Sequence, residues 1–138
     1  MDTTLDAIAT SPATSTPRRW PGRVITAIPV LFLAFDVAIK FANPPAVTEA
    51  SVKLGLPPEL AVVLGVVLAA CLALYVVPRV APLGAVLLTG YLGGAVLTHA
   101  RIGDPLFSHT LFPVFVGAFL WAGLYLRDPR VKRLLAAR

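Results

Sequence analysis

The chain has 138 residues, enough for one domain, and 57% of them are hydrophobic while only 14% are charged. Soluble domains carry roughly a quarter of charged residues, so this composition indicates a protein whose main partner is the lipid bilayer. The net charge of +5 does not predict a nucleic-acid partner, because the basic residues flank apolar runs and form no patch interleaved with polar or aromatic residues.

The chain begins with a polar segment, followed by the first apolar run. Residues 1–19 are rich in Ser, Thr, Ala and Pro, a composition that cannot bury enough surface to offset the entropy lost on ordering. We therefore expect a disordered tail over 1–19 and a membrane domain over 20–138. The first predicted span covers about 24–41 and contains Asp36 and Lys40, which are four positions apart and so share one helical face.

A polar connector and three uncharged runs come next in the chain. Residues 43–59 are bracketed by two Pro-Pro pairs, and the apolar residues between them have helical spacing up to Gly55, which predicts a short interfacial helix. The uncharged runs cover about 60–77, 80–99 and 106–126, the length that crosses a hydrocarbon layer of about 30 Å. Short turns force an up-down-up-down order. The predicted fold is an all-α integral membrane four-helix bundle.

The basic residues predict the orientation of these spans. If the spans alternate, nine lysines and arginines share one side of the membrane and three share the other. The nine are Arg18, Arg19, Arg23, Arg79, Arg127, Arg130, Lys132, Arg133 and Arg138, and the three are Lys40, Lys53 and Arg101. Basic residues are in excess in cytoplasmic segments, so we expect both termini in the cytoplasm.

The same alternation collects the polar residues of the spans at the non-cytoplasmic end. Asp36 lies four to five residues inside its span, where an unpaired carboxylate costs several kcal/mol. We expect its partner to be Lys40 or Arg101. One interpretation is a structural ion pair or triad that fixes the register of the bundle. The other is a polar pocket for the head group of a lipophilic molecule such as a quinone, with Asp36 as the proton-transfer group.

The pocket interpretation names further candidates near the same end. The ligand-binding residues would be Lys40, Arg101, His99, Asp104 and His109. Two histidines near carboxylates raise the question of a metal, but their spacing matches no established ligand motif, so no metal site is predicted.

Three glycines in the third span are candidates for helix packing. Gly90, Gly93 and Gly94 offer small residues on which another helix can lie close, and Gly90 and Gly94 form a G-x-x-x-G pattern. We expect this pattern to support packing within the bundle, with a homodimer contact as the alternative.

The region from Leu87 to Leu135 contains the motifs TGYLGGA, R-x-G-D-P and YLRDPR, in that order. With this order and spacing the region resembles the C-terminal half of the DoxX-like family of small four-span membrane proteins, and the resemblance extends over about residues 24–135. It implies a four-helix bundle in a bacterial inner membrane. One departure concerns the second span, where relatives often carry a glutamate in a G-x-x-E setting and this chain has Leu68.

The charged cluster and the resemblance together lead to three functional hypotheses. Related DoxX and DoxD proteins are associated with quinone-linked thiosulfate oxidation and with membrane complexes for oxidative stress. The first hypothesis is therefore a redox-associated subunit that contacts a quinone and a redox partner subunit. The second is a noncatalytic membrane scaffold or partner-binding protein with a structural ion-pair cluster. A proton-coupled transporter is a third, disfavoured because four short spans show no inverted repeat unless a dimer supplies one. The sequence carries no soluble-enzyme motif, and catalysis stays an open question.

Overall fold

The computed structural model describes residues 20–137, and the regular structure in that range is entirely helical. The six α-helices are Trp20–Ala42 (α1), Pro45–Lys53 (α2), Leu60–Val76 (α3), Ala81–Arg101 (α4), Phe112–Arg127 (α5) and Pro129–Ala136 (α6). A π-helical turn, Leu106–Thr110, precedes α5. The predicted disordered tail over 1–19 lies outside the described residues.

Three helical stretches are long and apolar enough to cross a membrane, and they have 23, 21 and 22 residues: Trp20–Ala42, Ala81–Arg101 and Leu106–Arg127. The helix α3, with 17 residues, is a shorter apolar helix. Large apolar side chains such as Leu31, Phe35 and Leu97 remain at least 65% exposed, as expected for side chains that face lipid. The predicted all-α membrane class is confirmed.

The predicted short helix between the first two long helices is present as α2. It begins with Pro45, whose missing N–H is not needed at the first helical position. Gly55 has a φ of +68°, and the N–H groups of Gly55 and Leu56 donate to the carbonyls of Val52 and Ser51 at 2.9 Å each. This is the hydrogen-bond pattern of a Schellman motif, so Gly55 ends the helix as the sequence indicates.

The four long helices pack in a ring, in which α1 and α4 each contact both α3 and α5. Each of these four helices contributes to the core. The largest fully buried side chains of the core are Leu33, Leu68, Tyr75, Leu88, Leu120 and Leu124. The Tyr75 hydroxyl donates to the Leu120 carbonyl at 2.7 Å, which satisfies a polar group that would otherwise be costly to bury.

The ring has two ends that differ in chemistry. One end, which we call the basic end, is where α1 begins, α3 joins α4 and α5 ends. At this end Arg127 donates to the carbonyl of Tyr75 at 2.9 Å. The other end, which we call the connector end, is where α1 and α4 end and where α2 lies. At this end Arg101 donates to the carbonyl of Leu54. This arrangement matches the up-down order predicted from the short turns.

The predicted packing on Gly90, Gly93 and Gly94 within the bundle is wrong. A Cβ added at any of these three glycines would have no atom of the described residues within 4 Å. The close approaches occur instead at Gly84, where a Cβ would lie 2.5 Å from the Cα of Tyr75, and at Gly123, where it would lie 3.0 Å from the backbone nitrogen of Thr26. These two glycines hold α4 against α3 and α5 against α1. The homodimer alternative for the other three stays a prediction.

Candidate functional site

A cavity of about 360 Å³ lies at the connector end, and we call it the connector cavity. Its lining consists of Lys40, Leu54, Leu56, Leu60, Leu64, Gly90, Tyr91, Gly94, Ala95, Thr98 and His99. The glycines explain why the space is open, because a side chain at either position would project into it. The packing prediction for Gly90 and Gly94 failed for this reason: a cavity separates their face of α4 from α3.

Lys40 is the partner of Asp36. Its Nζ donates to Oδ2 of Asp36 at 2.5 Å, and the two side chains are 19% and 30% exposed. Both residues belong to α1, so the pair neutralises Asp36 but cannot fix the register between helices. Lys40 also lines the connector cavity, whereas Asp36 does not.

Arg101 is not the partner of Asp36, and no triad forms. Its Nη2 donates to the carbonyl of Leu54 at 2.5 Å, in the connector after α2. The left-handed Gly55 makes this contact possible, since a Cβ there would lie 2.9 Å from the same Nη2. The structure thus places Arg101 outside the cavity lining, where it holds the connector against the end of α4.

His99 and Asp104 form a hydrogen-bonded dyad at the cavity. Nδ1 of His99 lies 2.7 Å from Oδ2 of Asp104, and Lys53 contacts the other carboxylate oxygen at 3.3 Å. A carboxylate at Nδ1 favours the tautomer with the proton on that nitrogen, which leaves Nε2 as an acceptor. The hydrogen bond from His99 is the main cause that lowers the pKa of Asp104, and Lys53 lowers it further.

His109 stands apart from this dyad. Its Nδ1 lies 2.7 Å from the hydroxyl oxygen of Ser108, its ring centroid is 5.9 Å from that of His99, and it is exposed. Of the predicted site residues, the structure therefore brings Lys40 and His99 to one cavity, and Asp36 and Asp104 form hydrogen bonds with these two residues from outside the lining. It leaves Arg101 and His109 outside the cavity.

Sequence reasoning did not include Tyr91, Thr98 and Lys53 in the site. Tyr91 and Thr98 line the cavity, and Lys53 contacts the Asp104 carboxylate. Helical spacing could have identified Tyr91 and Thr98. Together with Ala95 and His99 they lie at positions i, i+4, i+7 and i+8, so the four residues share one face of α4. No local pattern indicates Lys53, which reaches Asp104 from the distant helix α2.

The arrangement suits a molecule that is mostly apolar and carries one polar end. Small-molecule sites usually occupy about 300–1,000 Å³ and place a few polar groups among apolar walls. The connector cavity has this form, because Lys40 and His99 line it together with leucine, alanine and glycine residues and with Tyr91 and Thr98. Its volume of about 360 Å³ admits a single-ring head group rather than a large cofactor.

The Asp104→Asn variant is expected to lose stability in a pH-dependent way. Because the pKa of Asp104 is lowered in the folded protein, its contribution is present at neutral pH and is lost as the pH falls through that lowered pKa. We expect a melting temperature a few degrees below that of the parent protein at pH 7, with the two converging below about pH 4. Thermal unfolding at several pH values measures this.

Glu49→Gln is the matched control for that series. Glu49 is exposed on α2 and forms no ion pair among residues 20–137, so its variant should match the parent protein at every pH. A constant difference between Asp104→Asn and the parent down to about pH 3 would contradict the assigned role of the carboxylate.

A comparison with known families relates the chain to one of them. The model of the DoxX-like family matches residues 24–123, which include every residue that lines the connector cavity. No curated protein and no solved structure matches the chain.

Proposed function

The chain belongs to the DoxX-like family, and we propose that it binds a lipophilic molecule with an oxygen-bearing head group, such as a quinone, in the connector cavity. The observation that carries the proposal is that Lys40 and His99 are the two lining residues with ionisable nitrogen groups, in a lining that otherwise consists of leucine, glycine and alanine with Tyr91 and Thr98. An apolar ligand of membrane origin would bury its ring against the leucines and direct its oxygen to these two residues.

Lys40 is suited to bind the oxygen. An ammonium group has three N–H donors, and Asp36 accepts from only one of them. The others can donate to a carbonyl oxygen in the cavity. Asp36 accepts a hydrogen bond from Lys40 and fixes the direction of its side chain, so it acts here as a positioning residue, and direct proton transfer by Asp36 stays a prediction.

His99 is suited to exchange a proton with the same ligand. Asp104 holds the ring by Nδ1, so Nε2 is the nitrogen that can accept a proton or, once protonated, donate one. Proton exchange would accompany any oxidation or reduction of a quinone. In this proposal the chain binds the head group, and a redox partner subunit supplies or accepts the electrons.

The proposal includes a particular placement in the membrane. We propose four crossings in a bacterial inner membrane, with the basic end and both termini at the cytoplasm. At about 1.5 Å per residue α3 spans roughly 25 Å, and 17 residues is the lower limit for a spanning helix. The excess of lysine and arginine at the basic end supports the orientation.

Gly90→Leu is expected to abolish most of the binding. The leucine would occupy the connector cavity, while the fold should tolerate it because a Cβ at Gly90 meets nothing within 4 Å. We expect at least a tenfold loss of affinity for a short-chain benzoquinone, which corresponds to about 1.4 kcal/mol. Equilibrium binding to the protein in lipid nanodiscs measures it.

Gly93→Leu is the matched control, because Gly93 faces a different groove. That groove, of about 340 Å³, lies between α4 and α5 and includes Trp121. The control should retain the affinity of the parent protein. If Gly93→Leu loses binding while Gly90→Leu keeps it, the ligand occupies the α4–α5 groove, and the proposed site is wrong. Unchanged binding in both variants would also contradict the proposal.

A further inference from the structure

A second cavity, of about 390 Å³, lies at the basic end and carries an excess of positive charge. We call it the arginine cavity. It opens between the start of α1, the α3–α4 turn and the junction of α5 with α6, and its charged residues are Arg23, Arg127, Asp128 and Arg130. Because it is at the opposite end of the ring from the connector cavity, its ligand is independent of the proposed function.

Asp128 and Arg130 neutralise each other. Nη2 of Arg130 donates to the carboxylate of Asp128 at 2.8 Å, and the same carboxylate accepts from the backbone N–H of Arg130 at 2.9 Å, which caps α6. The guanidinium of Arg130 also donates to the carbonyls of Pro78 and Arg79 at 2.6 and 2.9 Å. These contacts join α6 to the α3–α4 turn and form one wall of the cavity.

Arg127 and Arg23 lack an ion pair of this kind in the described part of the chain. Neither forms an ion pair with a carboxylate among the described residues. The guanidinium of Arg127 lies 4.7 Å from the ring centroid of Tyr75, and its Nη2 donates to the carbonyl of the same residue at 2.9 Å. The Nε of Arg127 is buried and has no hydrogen-bond acceptor among residues 20–137. The Arg127 guanidinium is therefore held in place with unused donors, while Arg23 is exposed at the rim.

We propose that the arginine cavity binds a phosphate group with a net negative charge. The phosphate of a zwitterionic head group, which is balanced by an attached ammonium, would not be bound. Two guanidinium groups supply planar sets of N–H donors that match the oxygens of a phosphate. Basic pockets between membrane helices are known as sites for anionic phospholipid head groups. The shared chemistry is the phosphate, and its source is either an anionic phospholipid or the free ion.

The position of α6 places this cavity at the level of the head groups. Val131 is buried against the core, whereas Leu134 and Leu135 remain 74% and 70% exposed on a helix that also carries Lys132 and Arg133. A short basic helix with an exposed apolar pair is typical of one that lies in the membrane interface. The cavity at its first turn then opens where phospholipid phosphates are found.

The test compares Arg23→Gln with Arg133→Gln in the full chain. Arg23 lines the cavity, while Arg133 is an equally basic, exposed residue of the same end that does not line it. The protein is purified from nanodiscs that contain phosphatidylglycerol and phosphatidylcholine, and native mass spectrometry counts the lipids retained. We expect the parent protein and Arg133→Gln to retain phosphatidylglycerol preferentially, and Arg23→Gln to retain roughly fivefold less or lower still.

A second arm distinguishes the two sources of phosphate. Delipidated protein in detergent is melted with and without inorganic phosphate, with chloride at equal ionic strength as the reference. A rise in melting temperature that Arg23→Gln lacks assigns the site to the free ion, and lipid selectivity without such a rise assigns it to the phospholipid. Arg127→Lys, which keeps the charge but loses the planar donors, should weaken whichever binding is found.

Two outcomes would overturn the inference. One is the absence of both lipid selectivity and a phosphate effect in the parent protein. The other is an equal loss in Arg23→Gln and Arg133→Gln, because it would show a general attraction of basic residues to anionic lipid and no site. Arg23 is exposed and makes no side-chain hydrogen bond among residues 20–137, so its replacement leaves the fold intact for these measurements.

Discussion

Gly84→Ala is expected to lower the free energy of unfolding by about 3 kcal/mol, a large effect for a change that adds only one methyl group. The added Cβ would lie 2.5 Å from Cα of Tyr75 and 2.7 Å from the carbonyl carbon of Leu74. Both are backbone atoms, so no side-chain rotation relieves the clash and α4 must move away from α3. Lipid does not drive apolar helices together, so close packing carries much of their association.

Gly90→Ala provides the matched control, since it makes the same chemical change six residues later in the same helix. Nothing lies within 4 Å of its added Cβ, and alanine is a better helix former than glycine by about 1 kcal/mol. We therefore expect Gly90→Ala to be neutral or slightly stabilising. Equal destabilisation by the two variants would show that the contact at Gly84 is not a close one.

The single cysteine allows the stability of these variants to be measured. Cys71 is buried in the core formed by α3 and its neighbours, so a thiol-reactive fluorophore labels it when the bundle opens. A thermal scan with this dye in detergent compares the variants with the parent protein. The midpoint for Gly84→Ala should fall by roughly ten degrees, given that 1 kcal/mol corresponds to about 3–4 °C for a domain of this size.

Lys40→Met is the second change with a large expected effect, because it leaves the Asp36 carboxylate without its partner. Breaking a fully buried pair costs about 3–5 kcal/mol, and partial exposure of this pair reduces the expected loss to about 1–3 kcal/mol. The double variant Asp36→Asn with Lys40→Met removes both charges and should recover most of that stability. The same thermal scan measures all three proteins.

Ligand binding separates the structural and the functional role of the pair. If Lys40 only neutralises Asp36, the double variant should bind a short-chain benzoquinone as well as the parent protein does. If Lys40 donates to the ligand in the connector cavity, the double variant should be stable but bind at least about tenfold more weakly. Full binding by a stable double variant would show that Lys40 does not donate to the ligand and that its role is limited to the ion pair with Asp36.

The positions of the helices could be predicted from the sequence because their signals are local. Long apolar runs mark the spanning helices, and the Pro-Pro pairs with Gly55 mark the beginning and end of α2. The pairing of Asp36 with Lys40 was also one of the two predicted possibilities, since residues four apart on a helix are neighbours. The departure at the start of the last span is small: residues Leu106–Thr110 form a π-helical turn and not a regular α-helix.

The tertiary structure alone decided which faces of these helices meet. In a soluble helix the apolar stripe marks the inward face, but in a membrane the lipid-facing side is apolar too, so periodicity does not record the rotation of a helix about its axis. Gly84 packs and Gly90 does not, although both stand among similar apolar residues. Arg101 contacts the carbonyl of Leu54 and not Asp36. That carbonyl belongs to a turn far away in the chain, so no local pattern around Arg101 indicates the contact. The two cavities result from the same rotations, which are fixed only when all four long helices pack together.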